Sequence, residues 1–191
     1  MHTTIAHRLI SAAVLLALAA CLCGCLPIVV APTMPAPKPT VAEPTPTTDY
    51  GLPAPTRPSE GEWAEVLRVV DGDTITVLLD GEVRRVRYIG INAPESVKPD
   101  SPVEFMGPEA SAANEDLVGE RRVWLERDVS ETDKYDRLLR YVWVDDLMVN
   151  GELVRLGYAH AGTYPPDVRH QEWMQAMEAE ARAAERGLWG E

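Results

Sequence analysis

The stretch VVDGDTITVLL at residues 69–79, followed by VRYIGINAPES at residues 86–96, decides how this chain folds. Apolar residues recur at alternate positions in both runs, which is typical of β-strands that bury one face. Asp80-Gly81 between them is a signal for a tight hairpin turn. Both runs are interrupted by polar residues that a purely structural strand does not need, namely Asp71, Asp73, Arg87 and Glu95. These residues are either a functional site or a turn pair with ordinary surface charges.

Further strands and helices are predicted on both sides of this hairpin. EWAEVLRVV forms the first strand, EVRRVRYIGI the third, and RRVWLERDV and RLLRYVWVDD the last two. Helical patterns are GPEASAANEDLV, VNGELVRLGY and PDVRHQEWMQAMEAEARAAERGLW. Five short strands with a helix after the third favour an α+β fold. We predict a five-stranded Greek-key OB-fold barrel with about three helices, at residues 61–191.

The ends and buried faces of the last two helices are also predicted from pattern. Asn150 is expected to cap the short helix and Gly157 to end it. Gly187 is expected to close the longest helix. The spacing predicts one mostly apolar stripe on that helix, made of Trp173, Ala176, Met177, Glu180 and Ala184.

The first 25 residues have the pattern of a secretory signal. A short basic segment precedes LISAAVLLALAA, an apolar run too short to span a bilayer comfortably. A permanent membrane helix is the alternative. LAAC and LCGC resemble the lipobox of bacterial lipoproteins, which implies cleavage before Cys21 or Cys25 and a lipid on that sulfur. A metal-binding or chance cluster that includes Cys23 is the other interpretation. The lipobox predicts an extracytoplasmic protein anchored to the membrane, or a secreted one without lipidation.

Residues 26–60 are rich in proline, threonine and alanine. Proline fixes φ and removes backbone donors, and the segment has too little apolar surface for a core. We therefore expect a disordered, semi-stiff tether between the anchor and the domain, with an ordinary disordered terminus as the bland alternative.

The net charge is the least expected feature of the composition. The formal net charge is −12, and residues 61–191 hold 15 Lys and Arg against 27 Asp and Glu. Proteins that bind nucleic acid usually have a basic footprint. If this chain binds nucleic acid, we expect weak, salt-sensitive binding with few phosphate contacts.

Six motifs in order resemble the staphylococcal nuclease (thermonuclease) family. They are VVDGDT, VRYIGINAPE, GPEAS, DKYDRLLRYVW, MVNGELVRLGYA and GLW, and together they cover residues 62–189. The resemblance implies a monomeric phosphodiesterase that cuts DNA and RNA and uses one calcium ion.

The resemblance also implies roles for particular residues. Arg87, Glu95 and Arg137 match the catalytic set of the family. Asp73 matches a calcium ligand, Asn92 stands where the family usually has a second aspartate, the Ala93 carbonyl completes the set, and Asp71 lies near the metal. Tyr164 and Tyr135 match tyrosines of the nucleotide pocket. His160 and His170 are interpreted as surface or packing residues.

Phosphodiester hydrolysis requires these residue types. Negative charge grows on the phosphoryl oxygens in the transition state, and two guanidinium groups with a cation offset it. Water needs a carboxylate base, for which Glu95 is the candidate. Calcium takes oxygen ligands, and its affinity depends on their charge. Because Asn92 brings no charge, we expect a weaker calcium site than one with two aspartates.

Two other functions remain open at this point. A non-catalytic nucleic-acid-binding module on the same fold is the first, although Arg87, Glu95 and Arg137 together favour an enzyme. A surface protein that contacts peptide or polysaccharide is the second, and no motif supports it.

Overall fold

The computed structural model describes residues 52–96 and 104–190. The predicted signal sequence, the three cysteines and residues 26–51 of the predicted tether lie outside the described residues. No helix among those that the structure describes has the length and apolar character needed to cross a membrane.

The described chain forms eight strands, three α-helices and a short 3₁₀ helix. In chain order they are β1 (Glu62–Asp71), β2 (Thr74–Leu79), β3 (Glu82–Tyr88), β4 (Ile91–Asn92), α1 (Gly107–Val118), β5 (Arg122–Glu126), β6 (Leu138–Val144), β7 (Leu147–Met148), α2 (Val149–Arg155), β8 (His160–Ala161), α3 (Gln171–Ala183) and the 3₁₀ helix Gly187–Trp189.

Five of these strands close into a barrel. The sheet order is β3-β2-β1-β5-β6, and a parallel pairing of β3 with β6, which sets Val86 against Leu138, joins the two ends. Strand β7 pairs antiparallel with β6, while β4 and β8 form a separate pair. The predicted α+β, OB-type barrel with three helices is confirmed. Closure removes the free sheet edges, which a chain of short strands would otherwise expose.

The barrel interior holds the apolar residues that alternate along the strands. Ile75, Val77 and Val86 of the central hairpin are fully buried. Helix α2 adds Leu153, and α3 adds Met177, to the same core. Each fully buried aliphatic side chain contributes roughly 1.5–3 kcal/mol to folding. This core fixes β1, β2 and β3 rigidly, so polar side chains at their ends are held in place.

Asn150 does not cap α2, so that prediction is wrong. The helix begins at Val149 without a side-chain cap. Asn150 is fully buried, and its amide donates to the Ile89 carbonyl at 2.9 Å and accepts from the Val142 N–H at 2.8 Å. The side chain therefore joins strand backbone groups instead of the helix terminus. Gly157 ends the helix as predicted, at a φ of 80° that favours glycine.

The longest helix is shorter than its pattern predicts. Helix α3 begins at Gln171 and ends at Ala183. The residues between β8 and Gln171, which the pattern assigned partly to this helix, form a loop. Ala184 is exposed, and Gly187 starts the 3₁₀ helix instead of closing α3. The buried face shares Ala176 and Met177 with the predicted stripe and adds two residues that the prediction omitted, Met174 and Ala181.

The end of the predicted tether contacts the barrel. The Arg57 guanidinium lies 5.5 Å from the ring centroid of Trp63 and 5.4 Å from that of Trp124. A cation over aromatic rings at this distance is attracted to them. The contacts of the domain thus begin before residue 61.

Candidate active site

The tight connection between β1 and β2 is buried. Asp71 and Asp73 are 8% and 4% exposed, and the Asp73 N–H donates to Asp71 Oδ1 at 3.0 Å. A side chain on Gly72 would place its Cβ 2.6 Å from the Cβ of Ala93 and 2.8 Å from that of Ala110. Only glycine allows this close approach. The chain does turn at Gly72, as the alternative interpretation of DGD expects, but both carboxylates are buried.

The Asp73 carboxylate is the most connected group of the site. It accepts from the Ala93 N–H at 2.8 Å and from the Thr74 hydroxyl at 3.0 Å. It also forms an ion pair with Arg87. Arg87 in turn donates to Asn92 Oδ1 at 3.1 Å. The oxygens of Asp73 and Asn92 therefore converge on one cationic group.

Arg87 is the electrostatic centre of the site. Burial lowers the pKa of Arg87, and the nearby Arg137 lowers it further, while Asp71, Tyr164 and Glu95 act in the opposite direction. The side chain is 17% exposed, so one edge of the guanidinium group faces outward. The predicted residues from four separate segments therefore act on one another through space.

Burial and nearby cations act on the Asp71 carboxyl in opposite directions. Burial raises the pKa of the Asp71 carboxyl, and this outweighs the Thr74 hydrogen bond and the charges of Arg87, Arg137 and Arg85. A desolvated carboxylate next to cations is a common feature of functional sites.

Arg137 is held by Asp133, four residues before it in the chain. Asp133 accepts from Arg137 Nε at 2.7 Å and lies 2.6 Å from its Nη2. The other Asp133 oxygen accepts from the Arg137 N–H at 3.0 Å and the Tyr135 N–H at 2.9 Å. Burial acts to raise the pKa of Asp133, but the hydrogen bonds from Arg137 outweigh it and hold the pKa low. The acidic start of DKYDR is the sequence signal for this pairing.

A cleft of about 310 Å³ brings part of the predicted set together. Its lining includes four of the predicted residues, Arg87, Asn92, Arg137 and Tyr164. Leu139, Asp133 and Asp167 also line it. A larger cleft of about 520 Å³ elsewhere on the barrel is lined by none of the predicted residues.

Glu95 lies outside this lining but within electrostatic range of Arg87. Its N–H donates to Glu104 Oε2 at 3.0 Å, and its carbonyl accepts from the Glu104 N–H at 3.0 Å. Gly107 packs against the same carbonyl, where a Cβ would lie at 2.6 Å. The backbone is therefore fixed, whereas the carboxylate makes no hydrogen bond or ion pair with the described residues.

The two predicted tyrosines differ in position. Tyr164 is 51% exposed and lines the cleft, and Gly162 leaves room for its ring. Tyr135 is 66% exposed and lies outside the lining, with Arg137 at 5.5 Å and Lys134 at 4.9 Å from its ring centroid. Tyr164 thus presents an exposed ring in the cleft, and Tyr135 lies outside the lining next to Lys134 and Arg137.

Neither histidine lines this cleft, although His160 on β8 pairs with Asn92 on β4. His170 contacts Glu126 at 3.0 Å and the ring of Tyr141 at 4.6 Å between centroids. His160 contacts Glu178 at 3.3 Å. Both positions suit the packing and surface roles predicted for them.

Asn114 is a further residue that the sequence analysis missed. It is fully buried on α1, donates to the Asp71 carbonyl at 2.9 Å and accepts from the Tyr88 hydroxyl at 2.9 Å. It therefore fixes the end of β1 against β3. A polar residue among the alanines of GPEASAANEDLV is the only sequence signal for this role.

The donor set suits calcium in type but is low in charge. Within residues 52–96 and 104–190, no group of three or more His, Cys, Asp or Glu side chains is placed to hold a metal. The oxygens of Asp73 and Asn92 nevertheless converge on the Arg87 guanidinium, which shows that this position favours a cation. Carboxylate and amide oxygens are hard ligands of the type that calcium takes.

The fold is a closed OB-type barrel, and its wall carries a site made of arginine and carboxylate side chains. The chain belongs to the family described as Staphylococcal nuclease homologue, which it matches over residues 85–191. That range includes Arg87, Asn92, Glu95 and Arg137 and begins after Asp71 and Asp73. The family predicted from sequence motifs is confirmed.

Similar proteins include two thermonucleases and an endonuclease. The thermonuclease of Staphylococcus intermedius is 41% identical over 129 residues, which are 68% of this chain and 77% of that protein. The thermonuclease of Staphylococcus hyicus is 39% identical over 125 residues, 65% of this chain and 74% of that protein. The SPbeta prophage-derived endonuclease YokF of Bacillus subtilis is 40% identical over 124 residues, 64% of this chain and 42% of that protein.

Proposed function

We propose that this chain is an extracytoplasmic, calcium-dependent nuclease that hydrolyses phosphodiester bonds of DNA and RNA. Membership of the family and the thermonucleases among its relatives make it a hydrolase of the nuclease type. The proposed phosphodiester chemistry depends on one observation: Arg87 and Arg137 line the same cleft, together with Asn92 and Tyr164. Two guanidinium groups facing one space suit a phosphoryl group that gains negative charge.

The guanidinium of Arg137 is already oriented by Asp133 before a substrate binds. Asp133 occupies its Nε and Nη2, which leaves Nη1 to donate to a phosphoryl oxygen in the cleft. Because the carboxylate fixes the plane of the guanidinium, little side-chain entropy is lost when the substrate binds.

Arg87 acts in the same cleft. Its ion pair with Asp73 and its bond to Asn92 hold it against the barrel. Partial burial strengthens its attraction to a phosphate, because the local dielectric is lower than that of water. Tyr164 supplies an exposed ring on which a base can stack.

Glu95 is the candidate general base. Its carboxylate is free of hydrogen bonds to the described residues, while its backbone is held at both N–H and carbonyl. It takes a proton from the attacking water, which adds to phosphorus as the ester oxygen leaves. Loss of a general base lowers rates by roughly 10²- to 10⁴-fold.

Calcium, held by oxygens of Asp73, Asn92 and the Ala93 carbonyl with Asp71 nearby, would add positive charge that polarises the phosphate. The same Asp73 carboxylate pairs with Arg87 and accepts from Ala93. Metal and guanidinium therefore share one carboxylate, which is a second reason to expect modest affinity.

The location of the enzyme follows from the N-terminal segment. An apolar run followed by LAAC and LCGC supports export, with lipid attachment at Cys21 or Cys25. The proline-rich segment then holds a monomeric nuclease domain, with its boundary near residue 61, away from the membrane. Substrate would be nucleic acid outside the cytoplasm. Metabolic labelling with a fatty acid, compared between Cys21→Ser and Cys25→Ser, tests this part, and no label in the wild type would contradict it.

Digestion of DNA and RNA by the purified full-length chain tests the activity. Calcium-dependent cleavage that is lost in Glu95→Gln supports the proposal, with Glu109→Gln on an exposed face of α1 as the matched control. Nucleic-acid binding without any cleavage would favour the alternative, a non-catalytic binding module anchored at the cell surface.

A further inference from the structure

Most of the arginines that the structure describes in this acidic protein form ion pairs with carboxylates. Examples are Arg137 with Asp133, and Arg155 with Glu152. Among the described residues, the arginines whose side chains form neither an ion pair, a hydrogen bond nor a ring contact are Arg68, Arg84, Arg85 and Arg121. These four residues all lie on β1, on β3 or just before β5.

Two of these arginines share one face of the barrel with the active site. Arg68 on β1 and Arg85 on β3 both pair with Thr76 on β2, so the three residues form a row across the strands. The next row of the same face, two residues along, places Thr74 against Arg87. Side chains two residues apart on a strand point to the same face, with a separation of about 7 Å.

The electrostatics agree with this register. The charge of Arg85 acts on Asp71, together with the charges of Arg87 and Arg137. Thr76 between the arginines is 7% exposed, and its hydroxyl has no hydrogen-bond partner in the described part of the chain. We call Arg68, Thr76 and Arg85 the arginine row.

We infer that the arginine row binds backbone phosphates of the nucleic-acid strand that is being cleaved, next to the phosphate at which cleavage occurs. This inference rests on the proposed function, because it takes the substrate class from it. The field of a protein with a net charge of −12 repels a polyanion, so attraction must come from local cations that no carboxylate neutralises. The row supplies two such cations, continuous with Arg87, and it makes the enzyme favour polymeric over very short substrates.

The test compares Arg68→Ala/Arg85→Ala with Arg127→Ala/Arg182→Ala in the full-length chain. Both pairs remove two positive charges, but Arg127 and Arg182 are exposed arginines outside the row, paired with Glu131 and Glu178. Binding of labelled single-stranded oligodeoxythymidylate is measured by fluorescence anisotropy with chelator, over about 50–200 mM salt. Circular dichroism verifies that both variants are folded.

Loss of two phosphate contacts should reduce the slope of log K against log salt by about 1.4. At 0.1 M salt this equals a rise in Kd of about 25-fold. The control pair should stay close to the wild-type slope. In cleavage assays, the row variant should have a raised KM for the polymer and an unchanged kcat/KM for a dinucleotide.

The outcomes separate this inference from the proposed function. Equal salt slopes for both variant pairs would overturn the row, even when the wild type cleaves DNA. An equal loss of dinucleotide and polymer cleavage would also overturn it, because the row would then act through the catalytic centre. A reduced slope in a chain that cleaves nothing would support the row and overturn the nuclease activity.

Discussion

Replacing Asp133 by Asn tests whether Arg137 acts as an oriented cation. The carboxylate accepts two backbone N–H groups on one oxygen and binds the Arg137 side chain with the other. Asn keeps an oxygen for the backbone turn but loses the charge that aligns the guanidinium. Each hydrogen bond to a charged group contributes roughly 1.5–3 kcal/mol. If about half of one such bond is needed to align Arg137 in the transition state, kcat falls by about 4- to 13-fold.

The assay is steady-state cleavage of an oligonucleotide, with kcat and KM measured separately for Asp133→Asn, Arg137→Lys and the wild type. We expect a fall in kcat for Asp133→Asn, and a larger fall for Arg137→Lys, because Lys lacks the planar fork. An unchanged kcat with normal folding of Asp133→Asn would refute the argument that Asp133 positions Arg137.

Asp133 also has a predicted effect on acid stability. Its pKa is lower in the folded chain than in the unfolded chain, so its contribution to stability is complete above the unfolded value. This contribution is lost as pH falls through the folded pKa. The stability difference between the wild type and Asp133→Asn should therefore shrink in acid, which thermal denaturation at several pH values measures. A constant difference would contradict the pKa assignment.

Two further substitutions address the metal and the scaffold. Asn92→Asp adds a charged oxygen ligand, so half-maximal activity should require less calcium, by roughly tenfold if one unit of charge dominates; an unchanged calcium titration would exclude residue 92 as a ligand. Asn114→Ala removes the buried hydrogen bonds that link Tyr88 to Asp71. The free energy of unfolding, measured by urea denaturation, should fall by about 2–4 kcal/mol. A loss below about 0.5 kcal/mol would contradict this role.

The barrel could be predicted because strand periodicity, the Asp80-Gly81 turn and the order of motifs agree. Strands β4 and β8 could not, because two-residue elements such as Ile91–Asn92 carry no periodic signal. Asn150 illustrates another limit: a capping asparagine and a buried asparagine that bridges strands look identical in sequence. Only the fold shows that its partners are Ile89 and Val142.

The candidate site was partly predictable for a similar reason. Family motifs point to Arg87 and Arg137, and the structure places both in one cleft. The run DKYDR places two aspartates close to Arg137 in the chain, and the structure pairs Arg137 with Asp133 and not with Asp136. The arginine row depends on the register of β1, β2 and β3, including an irregularity near Leu67, which no local pattern encodes.

The most direct measurement is digestion of plasmid DNA and RNA by the full-length chain with calcium, with chelator, and with Glu95→Gln in parallel. We predict cleavage that requires calcium and falls by roughly 10²- to 10⁴-fold in Glu95→Gln. Full activity in Glu95→Gln would contradict the assignment of Glu95 as the base. Absence of cleavage by the wild type at every calcium concentration would contradict the central claim that this barrel is a working nuclease.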